Sequence, residues 1–264
     1  MRLLLSFSIL FIFHLPLYPQ SRTGIVHYGH KQSMGLGAPI GVDYNAVLIF
    51  NNEHSKYTYA KESLEGGAVN KPIVIKKDKD HVFVKPKRTS KEGYEVYAAL
   101  NDQMLSSNKG YSYVKEKIPK IAWKILKEKK RIGNFECIKA IGTFRGREYT
   151  AWFTLSVPLP YGPWKLQGLP GLILEAYDTD KEVYFYFKSI QYPLDKKIKI
   201  TPPNPKHENN SYNWITLEEY KNVLKNLHEK NIQNGRMVAE SYDAIETTEN
   251  RMPMKNYFME IFDK

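Results

Sequence analysis

Few side chains in the most apolar parts of this sequence could do chemistry. Glu175 stands between Leu174 and Ala176 in LILEAYD, residues 172–178. A carboxylate there faces solvent, pairs with an arginine such as Arg145 or Arg147 of FRGR, or is an acid of raised pKa. The solvent-facing reading is the simplest. Strand alternation sends Ile173, Glu175 and Tyr177 outward and Leu172, Leu174 and Ala176 inward. No second carboxylate is spaced to complete an acid–base pair. His27, His30 and Met34 in HYGHKQSM supply imidazole and thioether donors that suit a soft metal such as copper. On an extended chain two histidines three apart point to opposite faces, so these converge only if Gly29 turns the backbone.

The familiar catalytic patterns are missing. There is no G-x-S-x-G nucleophile elbow, no H-E-x-x-H zinc helix and no cysteine pair for a metal. GLGAPIG, residues 35–41, lacks the Lys-Ser/Thr and the helix of a phosphate loop. The single Cys137, in FECIKA, reads as a small buried apolar residue and forbids an intramolecular disulfide. No catalytic residue, metal site or cofactor is therefore assigned.

The elements that must hold these residues are mostly strands. Residues 1–21 have the layout of a secretory signal: Arg2, an apolar stretch from Leu3 to Leu17, then YPQS. The remaining 22–264 form a single domain of about 240 residues, with no later apolar run long enough to span a membrane. Net charge is +11, concentrated in bursts such as KKDKDH (76–81), KPKRTSK (85–91) and KILKEKKR (124–131). Export argues against nucleic acid as the partner, and lysines on strand edges discourage edge-to-edge association.

Alternating aromatic and β-branched runs predict strands at 46–50, 72–77, 81–85, 94–100, 111–116, 121–126, 135–144, 147–157, 172–178 and 182–192, with KEKKRIGN as a hairpin connection. In REYTAWFTLSV, Tyr149, Ala151, Phe153, Leu155 and Val157 share one face. Short turns without intervening helices predict an antiparallel sheet. Thr216 and Glu219 form a capping box for a helix over 216–230, with Leu217, Tyr220, Val223, Leu224 and Leu227 on one face and Asn234-Gly235 as the stop. The fold expected is mainly β: a single curved antiparallel sheet, half-barrel or open barrel, with one helix packed on it.

The stretch GPWKLQGLPGLILEAYD, residues 162–178, bends twice. Gly162-Pro163 makes one corner, and Pro170-Gly171 has the preference of a type II turn, with Gly171 at positive φ. Together with Trp123, CIKA (137–140), FRGREYTAWF (144–153) and Pro158, this stretch resembles the GLPGLI family of exported Bacteroidetes proteins. The resemblance implies an exported, mostly β protein and no established reaction.

The function expected is an exported, non-catalytic binding or carrier module. It would hold an apolar or amphipathic ligand, such as a lipid, in the curved sheet, with Trp152, Trp164, Tyr184 and Tyr186 at the rim or wall. Arg145, Arg147 and Glu175 are its candidate polar contacts. The first alternative is a cell-envelope protein working with an outer-membrane partner through its lysine-rich edges. Lesser alternatives are soft-metal binding and an enzyme of unfamiliar type using Glu175 and an arginine. Localisation would be the periplasm or outer membrane, or secretion.

Overall fold

The computed structural model describes residues 23–35, 41–66, 72–76, 82–86, 89–110, 112–206, 211–241 and 253–262. The expected export segment lies outside these, as do most of the basic run 76–81 and part of the glycine-rich 35–41.

The strands are β1 (Thr23–Gln32), β2 (Val42–Phe50), β3 (His54–Tyr59), β4 (Pro72–Lys76), β5 (Val82–Pro86), β6 (Tyr94–Ala99) and β7 (Met104–Lys109). They continue as β8 (Ser112–Lys117), β9 (Lys124–Ile132), β10 (Phe135–Phe144), β11 (Arg147–Thr154), β12 (Leu172–Asp178), β13 (Val183–Leu194) and β14 (Trp214–Thr216). Twelve of them make one open sheet in the order β14-β8-β7-β6-β3-β2-β1-β13-β12-β11-β10-β9, while β4 and β5 pair separately. Every pairing is antiparallel except β14 with β8. This is the mainly β, open-sheet architecture expected. The pattern is plainest in β2, where Val42, Tyr44, Ala46, Leu48 and Phe50 are buried in strict alternation.

Several boundaries differ from expectation. KEKKRIGN is not a connection. Most of it is β9, turned into β10 by Gly133-Asn134, with Ile132 opposite Phe135 and Gly133 at φ +55°. β9 ends the sheet, and its lysine-rich, mostly exposed sequence suits an edge. β1, β3 and β7 extend the sheet beyond the strands read from composition. β11 stops at Thr154, so Leu155 falls in a turn and is 54% exposed instead of joining the core face.

The capping box is present: Glu219 N donates to Thr216 Oγ1 at 3.2 Å and Thr216 N to Glu219 Oε2 at 2.7 Å. Helix α1 (Leu217–Ser241) then runs through Asn234-Gly235 without stopping. It buries Tyr220 and Leu224 beside Val114 of β8, while Leu227 is exposed. The helix therefore packs at the β8–β14 end of the sheet.

What fills the curve is a loop. The connection from β11 to β12, residues 155–171, folds back into the core, and every residue from Tyr161 to Gln167 is buried. Backbone bonds hold it there: Gly168 N to Pro160 O at 2.9 Å, Ile173 N to Tyr161 O at 2.9 Å and Leu172 N to Val157 O at 3.0 Å. Leu166 and Leu169 sit in the main apolar cluster with Phe50, Phe153 and Phe185.

The expected role of Gly171 is corrected here. Its φ is not positive; Gly168 is the residue at φ +93°. Gly171 is needed for close approach, because a Cβ there would lie 2.1 Å from the Thr154 carbonyl oxygen. Gly171→Ala should accordingly cost about 3 kcal/mol, since backbone must move. Gly168→Ala, with nothing near its would-be Cβ, should cost about 1–2 kcal/mol of backbone strain. Urea denaturation midpoints of the two variants test this order.

Candidate functional site

The residues singled out from sequence fall into two groups on opposite faces of the sheet. Trp152 of β11 is the register partner of Glu175 of β12. Lys130 of β9 joins them, its Nζ 2.7 Å from Glu175 Oε1 and 4.5 Å from the Trp152 ring centroid. Glu175 is thus paired with a lysine, and not with Arg145 or Arg147. The row continues through Tyr177 and Tyr184, whose ring centroids are 5.7 Å apart and edge-on, to Tyr186, 5.5 Å further. Tyr186 donates to Asp43 Oδ2 at 2.7 Å, and burial followed by this carboxylate pushes its phenol up to about 12. Gly29 makes no turn. It lies opposite Tyr186 in the ladder, and a Cβ there would stand 2.0 Å from the tyrosine ring.

Phe185, between Tyr184 and Tyr186 on β13, points the other way and carries the second group. Trp164 stacks on Phe185 at 6.4 Å and meets Phe144 edge-on at 5.7 Å. Its φ of +56° is an unusual conformation for a bulky residue, enforced by the buried loop. The next residue, Lys165, has a side chain only 2% exposed, with Nζ 2.8 Å from both Glu116 of β8 and Glu260 near the C-terminus. Arg145 pairs with Glu116 and lies 3.5 Å from Glu260. Arg147 pairs with Asp178 at 2.5 Å and Glu182 at 3.3 Å. The same guanidinium donates to the carbonyls of Lys255, Phe258 (3.0 Å) and Met259 (3.3 Å).

Sequence reasoning missed Lys165, Glu116 and Glu260. Lys165 did carry a signal, being the one cation within an apolar, Pro/Gly-bounded loop, WKLQGL. Its carboxylate partners lie 49 and 95 residues away and left none.

His27 and His30 face opposite sides, as their spacing requires. His30 is fully buried among Tyr44, Tyr57, Tyr59 and Phe185, with ring nitrogens 3.3 Å from Tyr57 Oη and 3.0 Å from Gln32 Nε2. Among the described residues no three His, Cys, Asp or Glu side chains are grouped to hold a metal ion. Burial, partly offset by Lys130, pushes the Cys137 thiol up to about 11, as befits a buried apolar residue and not a reactive thiolate.

Two cavities differ sharply in size. One cavity, between Trp164, Lys165, Tyr59, Tyr220 and Glu260, is about 20 Å³, too small for more than a water molecule. At the edge, Glu92, Tyr94, Asn108, Tyr113 and Tyr212 line a cleft of about 410 Å³. Tyr212 stacks on Tyr113 at 5.7 Å, and Asn108 is held by the Glu95 amide and the Gly93 carbonyl. No helix among the described residues is long and apolar enough to cross a membrane, which says nothing of crossing by strands.

A family model described as a protein of unknown function (Porph_ging) matches residues 143–175, from the end of β10 through the buried loop to Glu175. Among curated proteins none matches the chain. Two solved structures of PNGF-II are similar in fold. The C2 form has 13% identity and a TM-score of 0.50 over 76% of this chain and 32% of that one. The P21 form has 14% identity and a TM-score of 0.47 over 76% and 33%. This chain therefore spans about a third of the length of PNGF-II.

The buried His30 makes stability depend on pH. Desolvation, with Lys109 adding to it, holds its folded-state pKa well below the ordinary 6.5. Below about pH 6.5 the unfolded chain binds a proton that the folded chain refuses, so this contribution is lost as pH falls. Between pH 7.5 and 5.5 the loss should be on the order of 1 kcal/mol. A His30→Gln variant, less stable overall, should lack that increment when denaturant midpoints at the two pH values are compared.

Proposed function

We propose that this chain is an exported, non-catalytic binding module of the GLPGLI kind, and that its ligand, apolar or amphipathic, sits in the edge cleft and not within the curve of the sheet. The observation that carries the reading is the 410 Å³ cleft walled by Tyr94, Tyr113 and Tyr212 with Asn108 and Glu92 at its polar side. Its volume and mixed lining fit a small-molecule site. The filled interior supports moving the ligand outward: Trp164, Leu166 and Leu169 occupy the space that a carrier's acyl chain would need. Export to the periplasm or outer membrane rests on the character of residues 1–21.

A second reading, interaction with an outer-membrane partner, is favoured by the row from Trp152 to Tyr186. Lysines lie against this row: Lys130 over Trp152, Lys181 over Tyr177 at 5.3 Å and Lys188 over Tyr186 at 5.5 Å. Aromatic side chains of this kind are enriched at protein interfaces.

The two readings separate by mutation. N-phenyl-1-naphthylamine, and lipids extracted from cell envelopes, should bind the purified chain, and Tyr212→Ala should weaken binding about tenfold with little change in melting temperature. No binding of either probe, or equal binding by the variant, would count against the cleft. Under the second reading Glu175→Gln together with Lys130→Gln should abolish co-purification with envelope membranes. It should cost under about 1 kcal/mol of stability, since Lys130 is a third exposed.

A further inference from the structure

β9 is the last strand at one end of the sheet, and the stretch that leads into it and forms most of it, Lys117 to Arg131, holds seven cations and one carboxylate, Glu128. Lys129 and Lys130 are paired with Glu136 and Glu175, and Glu128 is taken by Lys139. Lys117, Lys120, Lys124, Lys127 and Arg131 are exposed and have no ion-pair partner among the described residues. The backbone that carries them is held in place from beneath. Ile118, Ile121 and Trp123 pack against the core, and Trp123 Nε1 donates to the Gln167 carbonyl at 2.9 Å. Gly142 makes room for this packing, since a Cβ there would lie 2.9 Å from the Trp123 ring and 3.2 Å from Ile121 Cγ2. The lysines between these anchors are left on the outside of a fixed chain.

Protection of the edge does not account for so much charge. Three residues, 126–128, oppose the single Lys139 of β10, and a bulge of that kind already spoils an edge for strand addition. Unpaired like charges at this spacing repel one another, and contact with a polyanion would offset that repulsion. Among them lies one large apolar side chain, Ile125, 49% exposed. Cations around an exposed aliphatic group suit a lipid surface, where phosphates meet the acyl boundary and attachment needs both a charged and an apolar contact. We propose that the stretch from Lys117 to Arg131 docks the protein on a membrane whose lipids carry anionic phosphate headgroups, with the five unpaired cations on the phosphates and Ile125 in the apolar boundary. The proposal rests neither on the edge cleft nor on the row from Trp152 to Tyr186.

All described strands and the helix lie within residues 22–264, so the test uses that chain, free of the apolar stretch from Leu3 to Leu17. Its probe is vesicles of three parts phosphatidylcholine to one part phosphatidylglycerol, read by co-sedimentation. Binding should be at least tenfold tighter than to phosphatidylcholine alone, and should weaken at least tenfold when salt is raised from roughly 50 to roughly 500 mM. Lys120→Gln, Lys124→Gln and Lys127→Gln together should weaken it at least thirtyfold, at about fivefold for each charge. The same charge removed from α1, by Lys221→Gln, Lys225→Gln and Lys230→Gln, should change it less than threefold. Ile125→Ser should weaken vesicle binding at least threefold. Equal binding to both kinds of vesicle by the wild-type chain, or equal losses in the two lysine variants, overturns the proposal. So does unchanged binding by Ile125→Ser, or displacement from the vesicles by polygalacturonate at an equal concentration of negative charge; either would make an acidic polymer, and not a lipid surface, the partner of this edge.

Discussion

A lysine ammonium keeps its charge inside a protein only if carboxylates meet it there, and much of this structure is arranged around that demand at Lys165. The residue is carried into the interior by a loop whose neighbours, Trp164 and Leu166, belong in the apolar core. Desolvating one ion costs several kcal/mol, and an uncompensated buried charge is among the most damaging defects a fold can have. Glu116 and Glu260 supply the compensation from β8 and from the C-terminal segment. Three segments far apart in sequence are thereby tied to one point. The tie gives position more than stability, since a well-packed apolar trio would hold as firmly and specify less.

The same loop decides where a ligand can go. A curved antiparallel sheet suggests a hollow, and the aromatic load of the sequence fits a hollow lined for lipid. The loop from β11 to β12 turns that hollow into core, stacking Trp164 on Phe185 and placing Leu166 and Leu169 against the strands. Side chains that would have lined a cavity instead make the packing contacts that stabilise a domain without disulfides. Accessible chemistry is left at the sheet's edge and on its outer face.

Strand alternation made the sheet legible in advance, because period-two patterns are local; β2, β10 and β12 follow from their own residues. β9 escaped because an edge strand needs no apolar face, so its lysines resemble a loop. Gly171 was identified as special for the wrong reason. A Pro-Gly pair predicts a turn, but only the fold shows that a carbonyl from β11 occupies the space where a side chain would be. Trp152, Glu175, Tyr184 and Tyr186 were chosen separately and share a face, as alternation on neighbouring strands allows. Trp164, Arg145 and Arg147 could not be assigned to the other side, because positive φ at a tryptophan and ion pairs as distant in sequence as Arg145 with Glu116 and Glu260 have no local signature.

The stretch that matches a family model, residues 143–175, contains the buried loop, Arg145, Arg147, Lys165 and Glu175. Each of these charged groups is already neutralised by a partner within the chain, three of them deep in the structure. Ionic groups locked as deeply as Arg145, Arg147 and Lys165 position chain segments and are poorly suited to meet a ligand, so the buried loop and its arginines read as a packing device. None of the cleft's tyrosines lies within it: Tyr94 and Tyr113 precede it and Tyr212 follows. A chain could keep the whole device and change its ligand by altering β6, β8 and the segment before β14 alone. Similarity confined to residues 143–175 therefore argues for a shared core and leaves the ligand to be decided at the edge of the sheet.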